Sequence, residues 1–219
     1  MMHRHFEEAL KEIEKKTLQL GGVAEDMIRR AVASVLDRDA ALAEAVIATD
    51  DNADELENKI EESCIESIAR YQPAASDLRF LATVMRINRD LERIADKAAS
   101  IAQRNLELIP YPPVKPFIDL PRVADIVQRM VKDSLDAFAN RDAALAESVR
   151  EREDEVDAIY DETAAELLAL MSKQPEHIPP GISILLIFRH LERITDLAAN
   201  ISEEVHYLVE GDVIRHSGP

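Results

Sequence analysis

The sequence predicts an all-α fold built from two tandem, pseudo-symmetric three-helix bundles. Three observations carry that expectation. Apolar residues recur at spacings of three and four over stretches approaching 30 residues. With five glycines, no tryptophan and 4% aromatic residues, the 219-residue chain lacks the turns and strand formers of a β-rich fold. A segment of the first half recurs in the second.

Phe6, Leu10, Ile13, Thr17, Leu20, Ala24, Met27, Ala31 and Val35 form the seam of a first helix. Asp37-Arg38-Asp39 interrupts it, and Asp39 is suited to cap the next helix. A second helix carries Leu42, Val46, Thr49, Ala53, Leu56, Ile60, Cys64 and Ile68, and Gln72-Pro73 ends it. Ser76 is placed to cap a third, with Leu78, Leu81, Met85, Leu91, Ala95, Ala98 and Ile101 inward. Pro110, Pro112, Pro113, Pro116 and Pro121 then read as a semi-rigid linker. Val123, Val127, Met130 and Phe138 mark a fourth helix, and Leu145, Val149, Val156, Ile159, Leu167 and Leu170 a fifth. A loop containing Pro175, Pro179, Pro180 and Gly181 leads to a sixth, with Ile184, Phe188, Leu191, Ile194, Ile201, Val205 and Leu208. A helix of this size is roughly 45 Å long and has to bury its stripe against partners.

The repeat is explicit. RDAALAE occupies 38–44 and returns at 141–147; RDLERIAD at 89–96 is echoed by RHLERITD at 189–196. Two long matches in the same order indicate duplication rather than chance likeness of alanine- and leucine-rich helices. The expected organisation is a first bundle over 1–109, a linker over 110–121 and a second bundle over 122–219.

Forty-three acids against 26 bases give a net charge of −17, which disfavours nucleic acid and anionic lipid and suits metal cations or basic proteins. No apolar stretch is long enough to span a bilayer, so direct membrane insertion is not expected. A single cysteine, Cys64, and a start without an apolar signal core point to the cytoplasm.

Each half holds two acidic pairs at i, i+4: Asp50/Asp54 with Glu92/Asp96, and Glu153/Asp157 with Glu192/Asp196. Such pairs share a helix face. At this acid content about eight would arise by chance, so their number alone decides nothing. Their placement says more. In each half the pairs are equidistant from the connecting turn, so an antiparallel hairpin sets them side by side. Four converging carboxylates repel unless protons, arginines or cations compensate. Arg89, Arg93, Arg189 and Arg193 offer a salt-bridge solution. Hard or borderline cations offer another, with carboxylates bridging more than one ion. Asn200, a turn beyond Asp196, adds an oxygen ligand where the first half has Ser100. Glu57, Glu61 and Asp161 are near enough to contribute as well, but read first as solvated faces. The Glu-x-x-His pairing of ferritin-like di-iron sites, a phosphate-binding loop and a nucleophile elbow are all missing, so no enzyme is expected.

Gln72-Pro73-Ala74-Ala75-Ser76-Asp77-Leu78-Arg79, Asp90 to Asp96, and Leu191 to Asp196 with Asn200-Ile201 resemble the signatures of the PhoU family of phosphate-transport regulators. The resemblance covers nearly the whole chain. It implies E/D-x-x-x-D metal clusters at Asp50, Asp54, Glu92, Asp96, Glu153, Asp157, Glu192 and Asp196, for iron, zinc, nickel, manganese or magnesium. It also implies a cytosolic, dimerising negative regulator that couples the ATPase of a Pst-type phosphate ABC transporter to a PhoR-like sensor histidine kinase. A metal-free helical scaffold, an accessory regulator of a different phosphate carrier and a di-iron oxidase are the alternatives. Asp77-Leu78-Arg79 has no counterpart in the second half, where His177-Ile178-Pro179-Pro180-Gly181 stands.

Overall fold

A computed structural model describes residues 2–114 and 119–212. The described residues are almost entirely helical: α1 (Met2–Asp37), α2 (Ala40–Ile47), α3 (Asp50–Tyr71), α4 (Ala75–Leu108), α5 (Leu120–Asn140), α6 (Ala143–Arg150), α7 (Glu153–Lys173) and α8 (Ile178–Glu210). A 3₁₀ turn, Pro175–His177, precedes α8. The two repeats are α1–α4 and α5–α8.

Long apolar stripes leave each repeat with more surface to cover than its own helices can bury. α4 and α8 therefore pack on each other in the most extensive helix contact among the described residues, and α1 crosses α5. One apolar cluster runs through both repeats, from Ile13 and Leu20 to Ile201 and Val205. The repeats are not separate bodies. α3 and α7 flank the central helices, α3 against α1 and α4 and α7 chiefly against α8, and add their buried residues to the same core. Gly21 allows α1 to approach α5, because a Cβ there would stand 2.6 Å from Leu135 Cδ1.

The RDAALAE repeat is a corner. Arg38 and Arg141 close the preceding helices in the left-handed conformation, at φ +54° and +55°. Their guanidinium groups compensate for this strained backbone. Arg38 Nη2 donates to the carbonyls of Leu108 (3.2 Å) and Ile109 (3.0 Å), tying down the end of α4. Arg141 lies over the Phe80 and Phe138 rings, 5.1 and 4.9 Å from their centroids. Asp39 and Asp142 accept from the backbone N–H of Leu42 and Leu145, each at 3.0 Å, the N-cap expected of Asp39.

Five expectations need correction. Ser76 does not cap the third predicted helix, which starts at Ala75 with Ala74 before it. Leu78 faces outward, 44% exposed. The second and fifth helices are not continuous: each breaks after eight residues, at Ala48-Thr49 and Glu151-Arg152. The two breaks share no residue type, so the cause is the packing of α2 on α4 and of α6 on α8, which turns the chain. Tight turns bridge the breaks, with Thr49 N–H bonding the Val46 carbonyl and Arg152 N–H that of Val149. Pro179, Pro180 and Gly181 belong to the sixth predicted helix, not to a loop. Proline suits a first turn because its missing N–H would have no intrahelical partner there. For the same reason Pro121 lies in the first turn of α5, so the linker ends before it. Residues 115–118 of that linker, with Pro116, fall outside the described residues.

The α4–α8 seam is antiparallel: Arg86 grips Glu204 through two 3.0 Å bonds, and Ser183 donates to Glu107 at 3.0 Å. Like charges confront each other along it. Burial raises the Asp90 carboxyl to about 6, Arg93 opposes the shift and Glu204 adds to it. At the equivalent place in the second repeat, burial and the cations Lys97 and Arg104 push the His190 imidazole down.

Two predictions follow from this architecture. Asp39→Ala and Asp142→Ala each remove a cap and should cost about 1 kcal/mol in denaturant unfolding. Asp90 binds its proton more tightly folded than unfolded. Its stabilising contribution is full below about pH 4 and is lost as pH rises through 6. The stability of Asp90→Asn relative to the parent should therefore grow by about 2–3 kcal/mol between pH 4 and 7, read as the difference between their unfolding free energies.

Candidate metal centre

The breaks after α2 and α6 decide where the acids stand. They make Asp50 and Asp51 first-turn residues of α3, and Glu153, Asp154 and Glu155 first-turn residues of α7. Helix N-termini favour negative charge, so part of the crowding is offset by the helix itself.

Across the first hairpin, the register is pinned by a buried side chain. Asn88, 1% exposed, donates from Nδ2 to the Glu57 carbonyl at 2.9 Å, binding α4 to α3. That register sets Asp50 and Asp54 opposite Asp96 and Glu92. Their mutual influence is direct. Burial raises the Glu92 carboxyl, and Asp54, Asp96, Glu57 and Asp50 all push it further. Burial likewise raises Asp50, with Asp54, Asp96 and Asp51 adding to it. Glu57 belongs to this group: it is raised by burial and then by Glu61 and Asp54, with Arg89 opposing. The sequence alone ranks Glu57 as a solvated neighbour ahead of a contributor. Its place seven residues after Asp50, on the same helix face, was the available signal.

The second hairpin brings Asp157, Glu192 and Asp196 together in the same way. Burial raises Asp157, and Asp196, Asp154 and Asp161 add to it. Burial raises Glu192, with Asp196 and Asp157 adding while Arg189 and Arg193 oppose. Asp161 thus also acts on the group. Glu153 opens α7, and Asn200 is half-buried one turn beyond Asp196, as Ser100 is beyond Asp96.

The arginine solution holds in one repeat only. Arg189 donates to Glu192 at 2.6 Å and Arg193 to Asp196 at 2.7 Å. In the first repeat Arg93 pairs instead with Asp90 at 3.4 Å, a position where the second repeat has His190. Asp96 there has Lys97, at 2.6 Å. Even in the second repeat Glu192 Oε2 is buried without a hydrogen-bond partner, and Arg193 Nε stands 3.8 Å away.

The donor set fits metal ions in kind: carboxylate oxygens are the ligands of hard and borderline cations, and Glu192 carries an unsatisfied one. Among the described residues no three His, Cys, Asp or Glu groups already converge tightly enough to hold an ion. Binding would thus require these side chains, of which Glu192 is buried and the others are half-buried or exposed, to swing together, and in the second repeat to leave their arginines. His190 is held down by burial and by Lys97 and Arg104, with Asp96 opposing. Cys64 is buried, and its thiol is pushed up to about 12 by burial, which suits packing and not metal binding.

The PhoU domain family matches this chain twice, over residues 17–104 and 120–205, one match in each repeat. The phosphate-specific transport system accessory protein PhoU homolog of Pseudomonas putida is 38% identical over 216 residues, covering 98% of this chain and 84% of that protein. The corresponding homolog of Aquifex aeolicus is 37% identical, covering 94% of each. The crystal structure of PhoU from Pseudomonas aeruginosa superposes with a TM-score of 0.91 at 38% identity, over 94% of this chain and all of that one. The phosphate transport system regulatory protein PhoU from Streptococcus pneumoniae gives 0.90 at 32% identity, over 96% and 99%. Matched in both repeats and along its length, the chain belongs to the PhoU domain family.

Proposed function

We propose that this protein is a cytoplasmic accessory protein of a phosphate-specific transport system. It binds metal ions at its two hairpin faces, represses the phosphate-starvation response and restrains phosphate uptake. In this reading it couples the ATPase of a Pst-type ABC transporter to a PhoR-like histidine kinase, acts as a homodimer and catalyses no reaction. The transport role draws on the relatives, which are named as accessory and regulatory proteins of phosphate transport. In line with a peripheral role, no helix of the described residues is long and apolar enough to cross a membrane.

The observation that carries the metal reading is the mutual pressure among Asp50, Asp54, Glu57, Glu92 and Asp96 on adjoining helices, unrelieved by a paired arginine on Glu92. A cation neutralises such a group with the donors already at hand. Asp50, Asp54, Glu92 and Asp96 would hold ions in the first repeat, and Glu153, Asp157, Glu192, Asp196 and Asn200 in the second. Iron, zinc, nickel, manganese and magnesium all accept this donor set. Metal would stiffen the outer helices α3 and α7 against α4 and α8, presenting a fixed surface to transporter and kinase. A second reading, a metal-free scaffold, is favoured by the Arg189–Glu192 and Arg193–Asp196 pairs. On that reading the second repeat needs no ion.

Metal analysis of gently purified protein separates the two. Asp96→Ala with Asp196→Ala should lose most of the bound metal while keeping its helical circular dichroism; unchanged metal content in that variant overturns the cation reading. In cells, deleting the gene should leave alkaline phosphatase output high under phosphate excess. Output that remains repressed would point to an accessory protein of a different phosphate carrier.

A further inference from the structure

Each hairpin presents one long face with two chemically different ends. Leu78, Ala82, Met85, Arg89, Glu92 and Asp96 recur on α4 at spacings of three and four, so they form a single stripe. Asp50, Asp54, Glu57, Glu61, Ile65 and Ile68 form the facing stripe of α3. The hairpin turns at Pro73, so the carboxylates collect at the end remote from the turn and the apolar residues at the turn. Two of those apolar residues stand open among the described residues, Ile65 at 55% exposed and Leu78 at 44%, beside the half-buried Ile68, Ala82 and Met85.

The second repeat does the same. Leu168, the counterpart of Ile65, is 55% exposed; Ile178, which stands in the place of Leu78 although the Asp-Leu-Arg triplet is not kept, is 42% exposed, and Ile182 is 47% exposed one turn on. Isolated exposed apolar residues are ordinary. Here, however, five of the eight large ones so exposed among the described residues fall on two equivalent faces. An unselected surface gives no reason for leucine and isoleucine to stay outside at matched positions of diverged repeats.

Charge chooses the occupant. α3 carries eight acids against two bases and α7 seven against one, so these two helices hold −12 of the net charge of −17. A second copy of the chain would bring acid against acid on these faces, and an anionic lipid surface is repelled as well. What complements an apolar patch continued by a carboxylate row is a helix whose apolar stripe ends in lysines and arginines, laid along the hairpin groove. We propose that each hairpin face docks a cationic amphipathic helix of a partner protein, two such segments per chain. The inference rests on the adaptor reading for the existence of a partner, and it assigns the docking energy to apolar residues that take no part in metal binding.

The test uses the full chain and a labelled synthetic leucine–lysine helix, followed by fluorescence anisotropy. Two sites per chain are expected. Ile65→Ser with Leu78→Ser should weaken one by about tenfold or more, and Leu168→Ser with Ile178→Ser the other. Hydrogen exchange should slow at 61–68 and 78–85, and at 164–171 and 178–185. All four side chains are exposed, so the variants should keep the parent's circular dichroism and metal content. Equal affinity and stoichiometry in parent and variants would overturn the proposal. So would equal binding of the glutamate counterpart of the peptide, or sedimentation showing that the substitutions abolish self-association instead. Parent protein that binds the peptide but holds no metal would overturn the cation reading alone.

Discussion

The structure depends on one constraint: α4 and α8 each have a buried face too broad for a three-helix unit to cover. Phe80, Leu81, Val84 and Ile87 on α4, and Ile184, Ile187, Phe188 and Leu191 on α8, are buried together with residues a third of a turn away on both sides. A coiled-coil seam would need only one narrow stripe. The breadth forces the two repeats onto each other, and a single core results. It also dictates layers. Once α1, α4, α5 and α8 take the centre, α3 is left to bury its apolar residues against α1 and α4, and α7 chiefly against α8. Their remaining faces become the acidic exterior.

The carboxylates are therefore at the boundary between core and water, half-desolvated and close to one another. That position raises the protonation tendency of Asp50, Glu92, Asp157 and Glu192 alike, with burial the leading cause in every case. The repeats relieve the strain differently. A single difference, Asp90 against His190, accounts for much of this. Asp90 draws Arg93 toward the α4–α8 seam, whereas Arg193, with no acid at that place, turns to Asp196. The first repeat is thereby left with the less compensated cluster, and an ion meets less competition there.

Sequence periodicity was sufficient for the long helices, because three-and-four spacing of Phe6 to Val35 or Leu78 to Ile101 admits no other regular structure. The opposition of the acidic pairs was also legible, since it follows from counting outward from the turn. Three features were not. The breaks after Ile47 and Arg150 leave the apolar spacing undisturbed, so nothing local marks them; they come from packing against α4 and α8. Pro179 and Pro180 read as loop in sequence because proline breaks helices in their interior, whereas in a first turn it costs nothing. The buried Asn88 that ties α4 to α3 looks, in a row of letters, like any polar residue beside a seam. Its partner is a backbone carbonyl, which sequence does not display.

That Asn88 bond also explains how duplicated hairpins keep one register after their sequences diverge. The second repeat has Phe188 at this position, buried in the apolar core, and no side chain to bond the carbonyl across the groove. Shape does there what the hydrogen bond does in the first repeat. A polar tie is directional and fails if the helices slide by a residue, since a buried amide left unpaired is costly. A packed ring resists sliding because its cavity does not move with it. Two different physical devices thus hold Asp54 against Glu92 and Asp157 against Glu192. What the duplicated halves share is accordingly not the means of alignment but the result, opposed rows of carboxylates at the same height above the turn.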